Sequence, residues 1–200
     1  MHPFFLNGKP YHIKGFLNQF TKIVKRNKVI LKKLGELNVP IIGVDPSITL
    51  TYRDEYNKID GNENFKILLP QEFLQNYLIN LQPLKNHKTF YLLTHCTEKT
   101  THISAEKEWQ KLFSALGLTL IPLSVGCCGM AGAYGHEQEH ISYSHALYNL
   151  SWKKHLVDIK DPMKYVLATG YSCRSQVQRM HQIKLQHPLR ALLNEIKEQS

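Results

Sequence analysis

The chain has 200 residues, 42% of them hydrophobic and 20% charged, a balance that fits one domain or two small lobes sharing a core and excludes a disordered or fibrous chain. Its net charge of +9 is lopsided, because the first 35 residues hold Lys9, Lys14, Lys22, Lys25, Arg26, Lys28, Lys32 and Lys33 and no acid, leaving 17 basic against 16 acidic residues elsewhere. No apolar run approaches the roughly 18 to 20 residues that cross a bilayer, and MHPFFLNGKPYHIKG lacks a continuous apolar core and a small-residue cleavage site, so a cytoplasmic chain is expected.

Residues 1–35 read as a basic N-terminal segment in which Phe16, Phe20, Ile23, Val24, Asn27, Ile30 and Leu31 follow a helical stripe. Two readings of its charge stand: the solvated face of a docked helix, or a contact surface for an acidic partner, a membrane or nucleic acid. No zinc-finger spacing or aromatic RNA-binding signature supports the last, so no nucleic-acid partner is expected. Pro40 to Val44 then reads as a short buried strand. A helix follows from Asp45-Pro46 through Tyr56, with a cap residue and proline in its first turn. Residues 57 to 64 (NKIDGNEN) read as a polar loop, and Pro70 to Leu81 as another helix. Thr89 to Thr94 (TFYLLT) is a strand that delivers His95 and Cys96 to its C-terminal end. Ala105 to Leu116 is helical and stops at Gly117. A strand over Leu118 to Ser124 ends at Gly126-Cys127-Cys128, and a long helix over His136 to His155 is expected after it. Tyr165 to Thr169 is a strand ending at Gly170-Tyr171-Ser172-Cys173, with helices from Arg174 to Met180 and from His187 to Lys197 beyond it. Strands and helices alternate, which predicts an α/β fold with a mainly parallel sheet and flanking helices.

All four cysteines follow the C-terminal ends of three predicted strands, the edge at which open α/β sheets build their sites. They converge only if those strands are neighbours. SVGCCGMAGAYGHE, Ser124 to Glu137, is the densest signal, with glycine at 126, 129, 132 and 135 around a vicinal cysteine pair. A disulfide between adjacent cysteines strains the peptide bond they share, so both thiols are expected to be free. Free thiols in a glycine-rich loop suggest a metal, a redox partner or a nucleophile. Four thiolates suffice for zinc or an iron–sulfur cluster. Short C-x-x-C pairs are missing, with 30 residues between Cys96 and Cys127 and 44 between Cys128 and Cys173, so zinc ribbons and fingers are excluded. Glycines in such a loop allow positive φ, and backbone N–H groups can then point at negative sulfur.

Two further signals compete. HEQEH, His136 to His140, matches H-E-x-x-H, but Gln138 and Glu139 are polar where zinc proteases bury that helix, and no G-x-x-H follows at the required distance. A Cys96–His136 nucleophile pair has no supporting motif. G-x-G-x-x-G and G-K-[ST] phosphate loops are absent.

GCCGMAGAYGHE, preceded by THCTEKT and followed by LSW and ATGYSCRSQV, resembles the cysteine-rich CCG domain of heterodisulfide reductase and glycolate oxidase iron–sulfur subunits. The resemblance is closest to the C-terminal part of fused FAD-linked oxidases of the D-2-hydroxyglutarate or D-lactate dehydrogenase type, and it runs from NGKPYHIKGF at Asn7 through VDPSITLTYRDEY to HPLRALL. It implies that Cys96, Cys127, Cys128 and Cys173 are the metal ligands, with His95, Gly126, Gly129, Gly132, His136 and Gln176 in supporting positions. Gln176 stands where the family has the last cysteine of a C-x-x-C, which favours a four-thiolate site over a five-cysteine one. The implied cofactor is an iron–sulfur cluster such as 4Fe–4S, with zinc as the alternative, and the implied role is electron transfer. The implied partners are FAD-binding and ferredoxin-like domains or subunits of the same enzyme, with peripheral membrane association through an electron acceptor. The chain carries no flavin-binding domain, no catalytic residue is assigned, and no activity is expected from it alone. The stretches NVPIIGVDPSITLTYRDEY and KYVLATGYSCRSQVQRM both read as strand, turn and helix, with Ile48 aligned to Cys173. Two pseudo-repeated Rossmann-like lobes are therefore expected: a degenerate first lobe over residues 36–85 and a cysteine-bearing second over 86–200.

Overall fold

The structure, a computed structural model, describes residues 6–60, 66–85 and 87–198. It divides into two compact units, Met1–Leu69 and Pro70–Ser200.

The first unit is mostly helical. It comprises α1 (Lys9–Ile13), α2 (Leu17–Gly35), β1 (Ile41–Ile42), α3 (Pro46–Leu50), a π-helical turn at Thr51–Glu55, α4 (Asn57–Asp60) and β2 (Ile67–Leu68). β1 and β2 pair in parallel. The stripe of α2 buries Phe20, Val24, Asn27 and Leu31 against Tyr56 and Ile67, whereas Phe16 at the helix start is exposed. Asn27 is buried because it is bonded: its amide donates to the Leu6 carbonyl at 2.7 Å and to the Tyr56 hydroxyl at 2.9 Å. That hydroxyl in turn donates to the Asn7 carbonyl at 2.7 Å. Asp45 caps α3 by accepting the Ile48 N–H at 3.2 Å, and Pro46 fills the first helical position. The expected helix over 45–56 widens at Thr51, where the Tyr56 N–H reaches back five residues to the Thr51 carbonyl. Of the polar loop expected over 57–64, Asn57–Asp60 is helical and 61–64 lie outside the described residues.

The second unit is α/β. Its elements are α5 (Pro70–Leu74) with a 3-10 turn over Gln75–Asn80, β3 (Thr89–Leu93), α6 (Cys96–Thr101), α7 (Ala105–Ala115) and β4 (Thr119–Pro122). Two short 3-10 turns follow, then α8 (Ile141–Ser151), α9 (Lys153–Asp158), α10 (Pro162–Tyr165), β5 (Val166–Ala168), α11 (Tyr171–His181) and α12 (Pro188–Lys197). The sheet is parallel with order β4-β3-β5, so the three strands that precede the cysteines are neighbours. Alternation along β3 assigns the two faces. Phe90 and Leu92 pack with Trp109, Leu112 and Phe113 of α7 and Leu192 of α12, while Leu93 packs with Tyr148 and Trp152 of the α8 region and Val177 of α11.

The single helix expected over His136–His155 does not form. Tyr134–His136 and Gln138–His140 are separate 3-10 turns, split by Glu137, whose extended backbone (φ −73°, ψ 131°) interrupts the hydrogen-bond ladder. Among the described residues no helix is long and apolar enough to cross a membrane.

Candidate metal centre

Each cysteine sits at a strand exit. β3 ends one turn before Cys96, which occupies the first position of α6. His95 caps that helix, its Nδ1 accepting the Thr97 N–H at 3.2 Å. Cys127 and Cys128 lie in the loop after β4, and Cys173 is in the first turn of α11 after β5. All four are free thiols, with Cys128 and Cys173 buried and Cys96 and Cys127 partly exposed.

The sulfurs meet in a chain. Cys127 interacts with the thiols of Cys96 and Cys128, and Cys128 also with that of Cys173. Cys127 is consequently held far below the usual thiol range, first by the Cys128 thiol and then by that of Cys96. The Gly129 N–H adds a contact of 3.4 Å to its Sγ, and the Ala131 N–H points the same way. Cys96 and Cys128 are pushed up, chiefly by their interaction with the Cys127 thiol. Two thiols and two backbone N–H groups around one sulfur favour negative charge at Cys127. Tyr148, fully buried, belongs to the core cluster that also buries Cys128, and its hydroxyl has no hydrogen-bond partner.

The glycine loop is anchored rather than loose. The Gly126 N–H donates to Ser151 Oγ at 3.0 Å, and the Trp152 indole donates to the Gly126 carbonyl at 3.0 Å. Lys99 Nζ reaches the Val125 carbonyl at 3.1 Å. Gly129 takes φ +87°, and a Cβ there would lie 2.2 Å from the Ser144 carbonyl oxygen. Gly132 is also left-handed at φ +73°, whereas Gly126 has room for a side chain and no positive φ. Gln176 is fully buried but turns away to α8, donating to Ser144 Oγ at 3.0 Å. His136 is exposed in its own 3-10 turn.

H-E-x-x-H geometry is not formed, because His136 and His140 sit in different turns on either side of the extended Glu137. Glu137, Glu139 and His140 instead bring one ligand atom each within 4.8 Å of one another. His140 stacks on Tyr134 and shares a 3.0 Å hydrogen-bond contact with Glu137, bonding that needs no metal to explain it.

Several site residues carry no sequence signal of their own. Glu98, two residues past Cys96, is completely buried. Burial pushes its carboxyl up to about 7, against hydrogen bonds from Thr169 and Gln71 that act downward. Gly170 is required by space: a Cβ would lie 2.4 Å from the His95 ring and 3.1 Å from Cys173 Sγ.

The donor set fits a soft thiophilic centre. Four sulfurs gather at neighbouring strand ends, two backbone N–H groups point at one of them, and the orphaned Tyr148 hydroxyl lies in the core that buries Cys128 and Cys173. This chain is similar to a segment of D-2-hydroxyglutarate dehydrogenases. It is 45% identical over 192 residues to that of Pseudomonas putida, and 44% identical over 199 residues to that of Escherichia coli K12. These alignments take in 96% and 98% of this chain but 19% of each relative, so the chain spans about a fifth of the curated relatives it matches. It is also 24% identical over 195 residues to one subunit of the anaerobic glycerol-3-phosphate dehydrogenase of Escherichia coli K12, an alignment covering 92% of this chain and 48% of that relative. No family model matches the chain. No solved structure matches it.

Proposed function

We propose that this chain is the cysteine-rich CCG segment, in the C-terminal part, of an FAD-linked D-2-hydroxy-acid dehydrogenase, and that Cys96, Cys127, Cys128 and Cys173 hold an iron–sulfur cluster serving electron transfer. The observation that carries this reading is the meeting of four thiols from three adjacent parallel strand ends. Such a cluster, when bound, takes up and releases single electrons. The chain's own residues hold the cradle. The Gly129 and Ala131 N–H groups support negative charge at Cys127, and Tyr148 packs in the core that buries Cys128. Ser151 and Trp152 fix the loop at Gly126, and His95 fixes the start of α6.

A structural zinc held by the same four thiolates is the alternative, and metal analysis separates the two. On this reading the partners are FAD-binding and ferredoxin-like domains or subunits of the same enzyme. The location is cytoplasmic, at the inner membrane face where the electron acceptor is membrane-bound. Residues 1–35 form the basic segment facing those partners, and residues 36–85 a degenerate copy of the cysteine-bearing lobe over 86–200. The parallel β1–β2 pair leading into α3 supports that duplication, with Ile48 where the second copy has Cys173. Superposing β1–α3 on β5–α11 with matching strand order tests it.

Anaerobic purification with iron, sulfide and zinc analysis and a visible spectrum decides the metal. Iron and acid-labile sulfide with a thiolate-to-iron absorption are expected. One zinc per colourless chain would instead support a structural module docked on the flavin domain, and neither metal would refute both. The isolated chain is expected not to oxidise D-2-hydroxyglutarate or D-lactate with an artificial acceptor, and turnover would overturn that expectation.

A further inference from the structure

We infer that Glu98 is a positioning residue of the metal centre, a buried side chain that ties the strand end bearing Cys96 to the strand end leading to Cys173. The inference rests on the proposed metal-binding role. A completely buried carboxyl is an expensive choice where an apolar side chain would pack, and its hydrogen bonds say what it holds. Glu98 Oε2 accepts the Thr169 hydroxyl at 2.6 Å, and Oε1 accepts the Gln71 amide at 2.8 Å. The same Thr169 oxygen accepts the His95 N–H at 3.0 Å. One hydroxyl thus joins the end of β3, the end of β5 and the first turn of α6.

The place of this link in the sheet matters. The β3–β5 ladder ends at Leu93 opposite Ala168, and the next backbone contact, from the Thr169 N–H to the Leu93 carbonyl, has stretched to 3.4 Å. Side chains take over one residue before Cys96 and four before Cys173. There the strand ends also press together, since Gly170 leaves no room for a Cβ beside the His95 ring. On the far side, Arg174 ties the Ala168 and Thr169 carbonyls to α11 at 2.7 and 2.8 Å. Ligand atoms must hold their places to about half an ångström, and no local C-x-x-C turn does so for Cys96 and Cys173. The Glu98–Thr169 link supplies that constraint.

The test uses the whole chain with two pairs of variants. Glu98→Gln keeps an acceptor for Thr169, and the Gln71 amide can turn, because its Oε1 is buried without a partner and would accept the new N–H. Glu98→Leu removes the link. Thr169→Ser keeps the hydroxyl and Thr169→Val deletes it at nearly constant volume, so the second pair decides if Glu98→Leu does not fold. In chelator competition after anaerobic reconstitution, Glu98→Leu and Thr169→Val are expected to hold metal about tenfold more weakly or worse, with an altered visible spectrum. Glu98→Gln and Thr169→Ser are expected to match wild type. A second readout needs no metal: diamide oxidation of the metal-free protein followed by peptide mapping. Wild type should give the Cys96–Cys127 disulfide, and its yield should fall several-fold in Glu98→Leu and Thr169→Val. Pairing that depends on Glu98 in a protein that binds no metal would remove the cluster reading and leave the positioning role standing. Wild-type pairing and loading in both disruptive variants would overturn the inference, as would absence of the Cys96–Cys127 pair from oxidised wild type.

Discussion

Gly126 and Gly129 flank the two cysteines symmetrically in sequence, yet alanine should be costly at Gly129 and nearly neutral at Gly126. At Gly129 the backbone is left-handed, φ +87°, which costs an alanine about 1 to 2 kcal/mol. Its Cβ would also lie 2.2 Å from the Ser144 carbonyl oxygen and 2.9 Å from the carbonyl carbon, where ordinary contact begins at 3.4 Å. Ser144 is in the first turn of α8 and cannot easily yield, because Gln176 and Arg179 both donate to its hydroxyl. A retreat of about 1 Å there resembles overpacking of a core, which costs about 1 to 3 kcal/mol. The total is about 2 to 5 kcal/mol. At Gly126 the nearest atom to a new Cβ is Ser151 Oγ at 3.7 Å, and the effect should stay within about 0.5 kcal/mol. Urea denaturation of metal-free protein, followed by tryptophan fluorescence, measures both. Trp109 and Trp152, the only tryptophans, lie in the second unit and report on it alone. With a urea slope of about 2 kcal/mol per molar, the Gly129→Ala midpoint should fall by about 1 to 2.5 M. A Gly129→Ala midpoint equal to that of Gly126→Ala would refute the argument.

Gly170→Ala has no φ strain to overcome, so its cost falls on the buried His95 ring and Cys173 Sγ; we expect a loss of about 1 to 3 kcal/mol in urea, together with reduced metal per chain on reconstitution, and wild-type values of both would contradict the close approach. Trp152→Phe keeps the ring in the core and deletes the bond to the Gly126 carbonyl; a loss of about 1 kcal/mol and faster thiol alkylation at Cys127 are expected, and unchanged alkylation would argue against loop anchoring by the indole. Tyr56→Phe removes the hydroxyl shared by Asn27 and Asn7, which should destabilise the first unit by about 1 to 3 kcal/mol; amide exchange along α2 measures it, and unaltered protection there would contradict the role given to this bond.

The sequence made some of this legible because the signal was local. TFYLL reads as a strand by itself, the Asp45-Pro46 cap is a dipeptide signature, and Gly117 ends α7 in the left-handed conformation that a C-terminal glycine implies. β2 was not legible, since two apolar residues beside a polar loop carry no period. α6 was hidden for a related reason: CTEKTT has no apolar stripe, and the one side chain it buries completely is a carboxylate. The long helix after His136 failed where Glu137 took an extended backbone, a choice that no propensity records. Glu98 and Gly170 are the instructive omissions. Glu98 has its partners 27 and 71 residues away, and Gly170 looks like any turn glycine until the His95 ring is placed beside it.

The missing C-x-x-C pairs and the buried Glu98 are two sides of one constraint. A C-x-x-C turn fixes two sulfurs through four residues of backbone, so such a site keeps its geometry even when the rest of the chain is loose. Here only Cys127 and Cys128 share a turn, and the other two sulfurs are brought in by whole βα units of the sheet. Their separation is therefore set by strand register, and register is only as firm as the last ladder bond, which has lengthened to 3.4 Å between Thr169 and Leu93. Something beyond the ladder must lock the strand ends. A side-chain carboxyl buried between hydroxyl and amide donors does so with directional bonds that an apolar contact lacks. Its desolvation cost is then the counterpart of the proposed ligand set being gathered from distant parts of the chain.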